Sequence, residues 1–203
     1  AKGDIAVGAM TILSSIMMFC MMPLQGITQG AQPIVSYNFG AKNTERVKQT
    51  FKYTFIACCA YTVLLWAVVQ IFPKTVAMAF SSDAELIAYT ARALRIYMAV
   101  SCVFGAQIAC QQTFVAIGKA GISFFLAVLR KILLLLPLIY IMPAVFAGDP
   151  ATAIYAAEPV ADFLAVATTV TCFTVLFGRA MKKLDKERAE EQAAAVTEAD
   201  GND

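Results

Sequence analysis

The chain contains no histidine, and only 15% of its 203 residues are charged, against about 25% in soluble domains. Without histidine there is no side chain whose ordinary pKa lies near neutrality, and no cysteine–histidine zinc site. The six cysteines (Cys20, Cys58, Cys59, Cys102, Cys110 and Cys172) all fall inside apolar stretches and form no C-x-x-C pair. That pattern fits small apolar fillers between helices and not a disulfide framework. A G-x-S-x-G turn, a phosphate-binding loop and paired pocket carboxylates are also missing. No catalytic residue, metal site or cofactor is therefore assigned, and an enzyme is not expected. The net charge of +2, with no basic patch interleaved with aromatics, argues against a nucleic-acid partner.

What is present is apolar surface. Hydrophobic residues make up 60% of the chain, above the 45–50% of soluble domains. Ile5–Ala41, Tyr53–Pro73, Ile96–Gly118 and Ile132–Gly148 carry no charge, and Phe163–Gly178 is a shorter run of the same kind. A bilayer crossing needs about 20 such residues. The expected fold is an all-α polytopic transmembrane helix bundle with about five spans, near 5–39, 53–73, 87–117, 122–146 and 153–178. A charged tail at 184–203 should continue the last helix for a few turns and then become partly disordered. The first residue is Ala1, not methionine, and Ile5 already sits in a span, so an upstream portion is expected. Alternate connections, Lys42–Lys52, Lys119–Lys131 and Arg179–Arg188, hold four, three and five Lys/Arg. That asymmetry puts them and the C-terminus in the cytoplasm, in an inner (plasma) membrane.

Pro23–Lys48 organises the rest of the chain. Gln25, Gln29 and Gln32 recur at spacings of four and three, so on a helix they share a face. Gln107 and Gln111 do the same on the third span. Together with Met21 in the cluster Met17, Met18, Met21 and Met22, these amides are the candidate substrate-cavity residues. Interhelical hydrogen bonding and core filling would explain them equally well. Gly26 and Gly30 would let a neighbouring helix approach closely. Asn38, Gly40, Lys42 and Arg46 stop the first span and anchor it at the cytoplasmic face. Ser82 and Glu85 fit a capping box, opening one helix that runs to Ile117. Pro137 and Pro143 should kink or end the fourth span, and Ala147–Pro150 should turn the chain. Arg130 and Lys131 are expected at the cytoplasmic edge, reaching for headgroups. Asp162 is the one ion-coupling candidate, read either as a relay or as a carboxylate favoured by its helix N-terminus.

The string Gly26-x-x-Gln29-Gly30-x-Gln32-Pro33-Ile34-x-x-Tyr37-Asn38-x-Gly40-Ala41-Lys42-Asn43-x-x-Arg46-Val47-Lys48 resembles the multidrug and toxic compound extrusion (MATE) family. Later stretches agree in order: Ser82-x-x-Glu85, Ala116-Ile117-Gly118-Lys119 and Glu158-Pro159-Val160-Ala161-Asp162. The resemblance covers residues 4 to 183. It implies half of a two-lobe, twelve-helix antiporter, with this chain supplying helices eight to twelve. Such an antiporter exports amphipathic or cationic small molecules against a sodium-ion or proton gradient, and its partner here would be the N-terminal lobe. A flippase for lipid-linked sugars, or a non-transporting membrane scaffold, are the alternatives. A flippase for anionic headgroups should carry mid-membrane Arg or Lys, which the expected spans lack.

Overall fold

The computed structural model describes residues 2–145 and 150–200. Its helices are α1 (Lys2–Gly40), α2 (Thr44–Ile71), α3 (Pro73–Met78), α4 (Ala84–Tyr97), α5 (Phe104–Ala116), α6 (Ala120–Val128), α7 (Leu136–Val145) and α8 (Pro150–Asp200). No strand occurs among the described residues. Among the described residues four helical stretches are long and apolar enough to cross a bilayer: Val7–Gly40, Thr44–Ile71, Ala120–Ile141 and Ala157–Ala194. A fifth crossing is available if α4 and α5, bent by 50° at their junction, count as one broken span.

That break departs from the single helix expected over 87–117. The chain leaves α-helical geometry after Tyr97 and passes through a 3₁₀ turn at Ser101–Val103. Carbonyls freed by a break inside a membrane need donors from a neighbouring helix. Three side chains of α2, spaced four apart, supply them. The Thr62 hydroxyl donates to the Cys102 carbonyl at 2.9 Å. Trp66 Nε1 donates to Ala99 at 2.8 Å, and Gln70 Nε2 to Arg95 at 3.0 Å. The start of α4 also differs from the expected capping box. Asp83, not Ser82, caps the helix, its Oδ1 accepting from the N–H of Glu85 at 2.9 Å and of Leu86 at 3.3 Å. Ser81 in turn accepts from the Asp83 N–H.

The fourth span contains a π-helical segment, Leu129–Leu135, between α6 and α7. Pro137 follows directly, and a proline has no N–H to return to the preceding turn. A widened turn N-terminal to it accommodates that loss. The turn expected at Ala147–Pro150 falls largely outside the described residues. Helix α8 runs to Asp200, where partial disorder was expected after residue 184. Its C-terminal extension lies beside the α1–α2 connection, where Lys42 pairs with Glu191 and Lys48 lies 3.9 Å from Asp185.

Among the described residues three buried clusters hold the bundle, the smallest joining Leu24 of α1, Cys58 of α2 and Ala109 of α5. Near one end, Leu13, Ile16 and Cys20 of α1 pack on Val69 of α2 and on Leu94 and Tyr97 of α4. Toward the other end, Val35, Val47, Phe114, Leu126 and Met181 join α1, α2, α5, α6 and α8. Phe173 centres this second core. It stacks on Phe51 at 4.5 Å and Phe177 at 4.7 Å, and meets Phe114 edge-on at 5.1 Å. Offset and edge-on aromatic pairs of this kind contribute about 0.5–1.5 kcal/mol each beyond their buried area. Clamped at both ends, α1, α5, α8 and the π segment are left to enclose a cleft at mid-height.

Candidate functional site

Arg130 and Lys131 lie on the π segment and do not reach outward to headgroups as expected. Arg130 Nε donates to Asp162 Oδ1 of α8 at 2.5 Å, and Lys131 Nζ lies 3.6 Å from Glu158 Oε1. Two adjacent cations facing two carboxylates four apart is an antiparallel match between helices. Consecutive residues on an α-helix are about 100° apart and do not share a face. The wider π turn lessens that angle, which lets Arg130 and Lys131 both address α8. Arg130 also sits over the Phe104 ring, 4.9 Å from its centroid.

Helix rise sets the depth of this cluster. Arg130 is ten residues past the start of α6 at Ala120, and Asp162 is twelve past the start of α8 at Pro150. These offsets are about 15 Å and about 18 Å along the two helices, so each partner lies several turns in from its helix start. Asp162 is therefore too far along its helix to gain from the N-terminal dipole, which fades within one turn. What compensates it is the Arg130 guanidinium. The Asp162 side chain is only 3% exposed and that of Arg130 is 22% exposed.

A cleft of about 250 Å³ opens beside the cluster. Met17, Met18 and Met21 of α1 form one wall; Tyr97, Phe104 and Ile108 form another. Arg130, Lys131 and Glu158 form the third. Among the expected cavity residues, only Met21 lines this cleft. Gln25 and Gln29 lie on the exposed face of α1, and Gln32 is half-buried beside Thr28, Thr54 and Gln112. Gln107 is 2% exposed, and its Oε1 finds no hydrogen-bond partner among the described residues; neither does Gln111 Nε2. The glutamines thus do not converge: one pair faces outward from α1, the other is packed inside.

Burying an unsatisfied amide costs roughly 1–3 kcal/mol. Gln107→Leu is accordingly expected to raise the thermal melting point of the purified protein, a gain on the order of 1 kcal/mol. A lower melting point would show that the amide is satisfied in the membrane.

At the C-terminal end of α1, Asn38 Nδ2 donates back to the Ile34 carbonyl at 2.8 Å, and the Asn38 carbonyl accepts from the Asn43 N–H at 2.8 Å. Lys42 has a φ of +53°, the left-handed conformation that ends helices, and the Asn43 side chain caps α2 by accepting from the Arg46 N–H. Gly40 and Arg46 are exposed here. Sequence reasoning missed the Arg130–Asp162 and Lys131–Glu158 pairs. Their signal was present, two adjacent cations on one span and an i, i+4 acid pair on the next, but depth could not be read without the helix starts.

The MatE family pattern matches residues 1–141. A stretch of 96 residues is 23% identical to the Multidrug export protein MepA of Staphylococcus haemolyticus (strain JCSC1435), covering 47% of this chain and 21% of that protein. Among solved structures, the MATE multidrug transporter DinF-BH, determined with a bound ligand, is 33% identical with a TM-score of 0.74. That match covers 85% of this chain and 38% of the other. A MATE protein in a bent conformation superposes with a TM-score of 0.82 at 16% identity, over 90% of this chain and 40% of that one. A MOP superfamily transporter from Pyrococcus furiosus Vc1 (DSM3638) gives 0.79 at 17% identity, again over 90% and 40%. The chain spans about two fifths of the length of these solved transporters. An all-helical bundle with four to five crossings, its order of motifs and a match over more than half its length agree: the chain belongs to the MatE family of transporters.

Proposed function

We propose that this chain is the C-terminal lobe of an exporter of amphipathic or cationic organic compounds, driven by exchange for sodium ions or protons. The observation that carries the reading is the cleft between the helices, where flexible methionines face a charged wall inside an otherwise apolar bundle. Intramembrane ionisable groups are functional candidates by default, and thioethers adapt to varied apolar shapes. The exposed face of α1, carrying Gln25 and Gln29, would complete the transport path against an N-terminal lobe. Pro23, Pro33 and Pro137 would serve as bending points as the lobes rock. Asp162, already paired with Arg130, is the group on this lobe that a coupling ion would address. The protein would sit in the inner (plasma) membrane with its C-terminus cytoplasmic.

The test is uptake of ethidium or a cationic rhodamine dye into proteoliposomes holding the full-length form, with a sodium or pH gradient imposed in turn. Uptake should follow one gradient and collapse with it; uptake indifferent to both would overturn antiport. Gln29→Leu should lower uptake severalfold while leaving the melting point unchanged, since exposed substitutions usually stay within about 0.5 kcal/mol. Unchanged uptake would remove Gln29 from the path.

A further inference from the structure

The two ion pairs beside the cleft are unequal. Arg130 and Asp162 are hydrogen-bonded, with side chains 22% and 3% exposed. Lys131 and Glu158 are 3.6 Å apart, beyond hydrogen-bond length, with side chains 59% and 12% exposed. The first pair is locked; the second can be parted. Both members of the second pair also line the cleft, opposite the methionine wall.

We propose that the cleft binds small amphipathic zwitterions, the ligand's cationic group resting on Glu158 and its anionic group on Lys131. The four protein charges already cancel. A ligand with a single charge would engage one partner and leave the other unmatched, so it is accepted here but held less tightly than a zwitterion. A zwitterion inserted between Lys131 and Glu158 keeps every charge matched. Its apolar body would lie against Met17, Met18, Met21 and Phe104. The volume, about 250 Å³, is below the 300–1,000 Å³ common for drug-sized ligands, so a compact body with one ring or a short chain fits best. An ethanolamine phospholipid headgroup carries the same two charges and is a second source of this chemistry.

The inference builds on the exporter reading but is tested by equilibrium binding without any gradient, so a failed transport assay leaves it standing. Phenylalanine, phenethylamine and 3-phenylpropionate form a matched set: zwitterion, cation and anion on one body. Binding of each to the full-length protein in nanodiscs should favour phenylalanine by about tenfold or more, the size expected for one desolvated charge contact. Lys131→Met should turn that preference toward phenethylamine, and Glu158→Gln toward 3-phenylpropionate. The exchange K131E/E158K keeps the pair with its polarity reversed and should retain phenylalanine binding, which covers the case in which a single variant fails to fold. Equal affinities for the three solutes, or a preference that neither single variant changes, would overturn the proposal. Repeating the titration with and without phosphatidylethanolamine separates the sources. An unaltered phenylalanine affinity assigns the cleft to free solutes; a loss in step with the lipid assigns it to the headgroup.

Discussion

Arg130→Met is expected to destabilise the protein by about 3–5 kcal/mol, the usual consequence of stripping one partner from a buried ion pair. The side chain it abandons, Asp162, is 3% exposed and has its 2.5 Å contact with Arg130. Lys131 cannot take over without leaving Glu158. The double variant R130M/D162L removes both charges and should recover most of the loss, because replacing a buried pair with well-packed apolar residues is often neutral or stabilising by about 1–4 kcal/mol. Thermal melting in detergent measures both. If R130M alone melts like the unsubstituted protein, the pair contributes nothing and the two helices are held by apolar contacts alone. If R130M falls and the double variant does not recover, Arg130 matters chiefly through Phe104, whose ring it covers at 4.9 Å.

The same cluster bears on the choice between exporter and flippase. Arg130 and Lys131 turn toward α8 beside the cleft, where the expected reading had them reaching for headgroups. Each is matched by a carboxylate of α8, so the cleft offers no net positive charge to an anionic headgroup. These basic residues therefore do not by themselves favour a flippase here.

The fold class was legible because it rests on composition: charge-free runs near bilayer length leave few alternatives to a helix bundle. The end of α1 was legible too, since Asn38, Lys42 and Asn43 act through local hydrogen bonds within a few residues. Features set by contact between distant helices were not. The break after Tyr97 has no proline or glycine pair to announce it. It depends on Thr62, Trp66 and Gln70, which lie 40, 33 and 25 residues before the carbonyls they serve and offer hydrogen bonds at the right heights. The inward turn of Arg130 depends likewise on α8. Glutamine spacing suggested one cavity wall, but helical periodicity says only that residues share a face, not whether that face is covered. Gln29 proved exposed and Gln107 buried.

Glycine shows the same limit with the opposite sign of effect. Gly26 and Gly30 were expected to admit a neighbouring helix, yet a methyl group at either would meet nothing within 4 Å. The close approach is at Gly105, where an added Cβ would fall 2.5 Å from the Cys58 carbonyl oxygen and 2.7 Å from Thr62 Oγ1. The obstruction at Cys58 is backbone, so no rotamer change relieves it. Gly105→Val should therefore force α2 and α5 apart and cost about 1–3 kcal/mol or more. It should also strain the Thr62–Cys102 hydrogen bond that serves the helix break. Gly105→Ala should show the same loss in smaller measure. Gly26→Ala should do the reverse, gaining up to about 0.5–1 kcal/mol from restricting the unfolded backbone in a helix interior. Melting points of the three variants decide the matter together. A destabilised Gly26→Ala beside an unaffected Gly105→Val would mean that α1, not the α2–α5 contact, carries the tightest packing of this lobe.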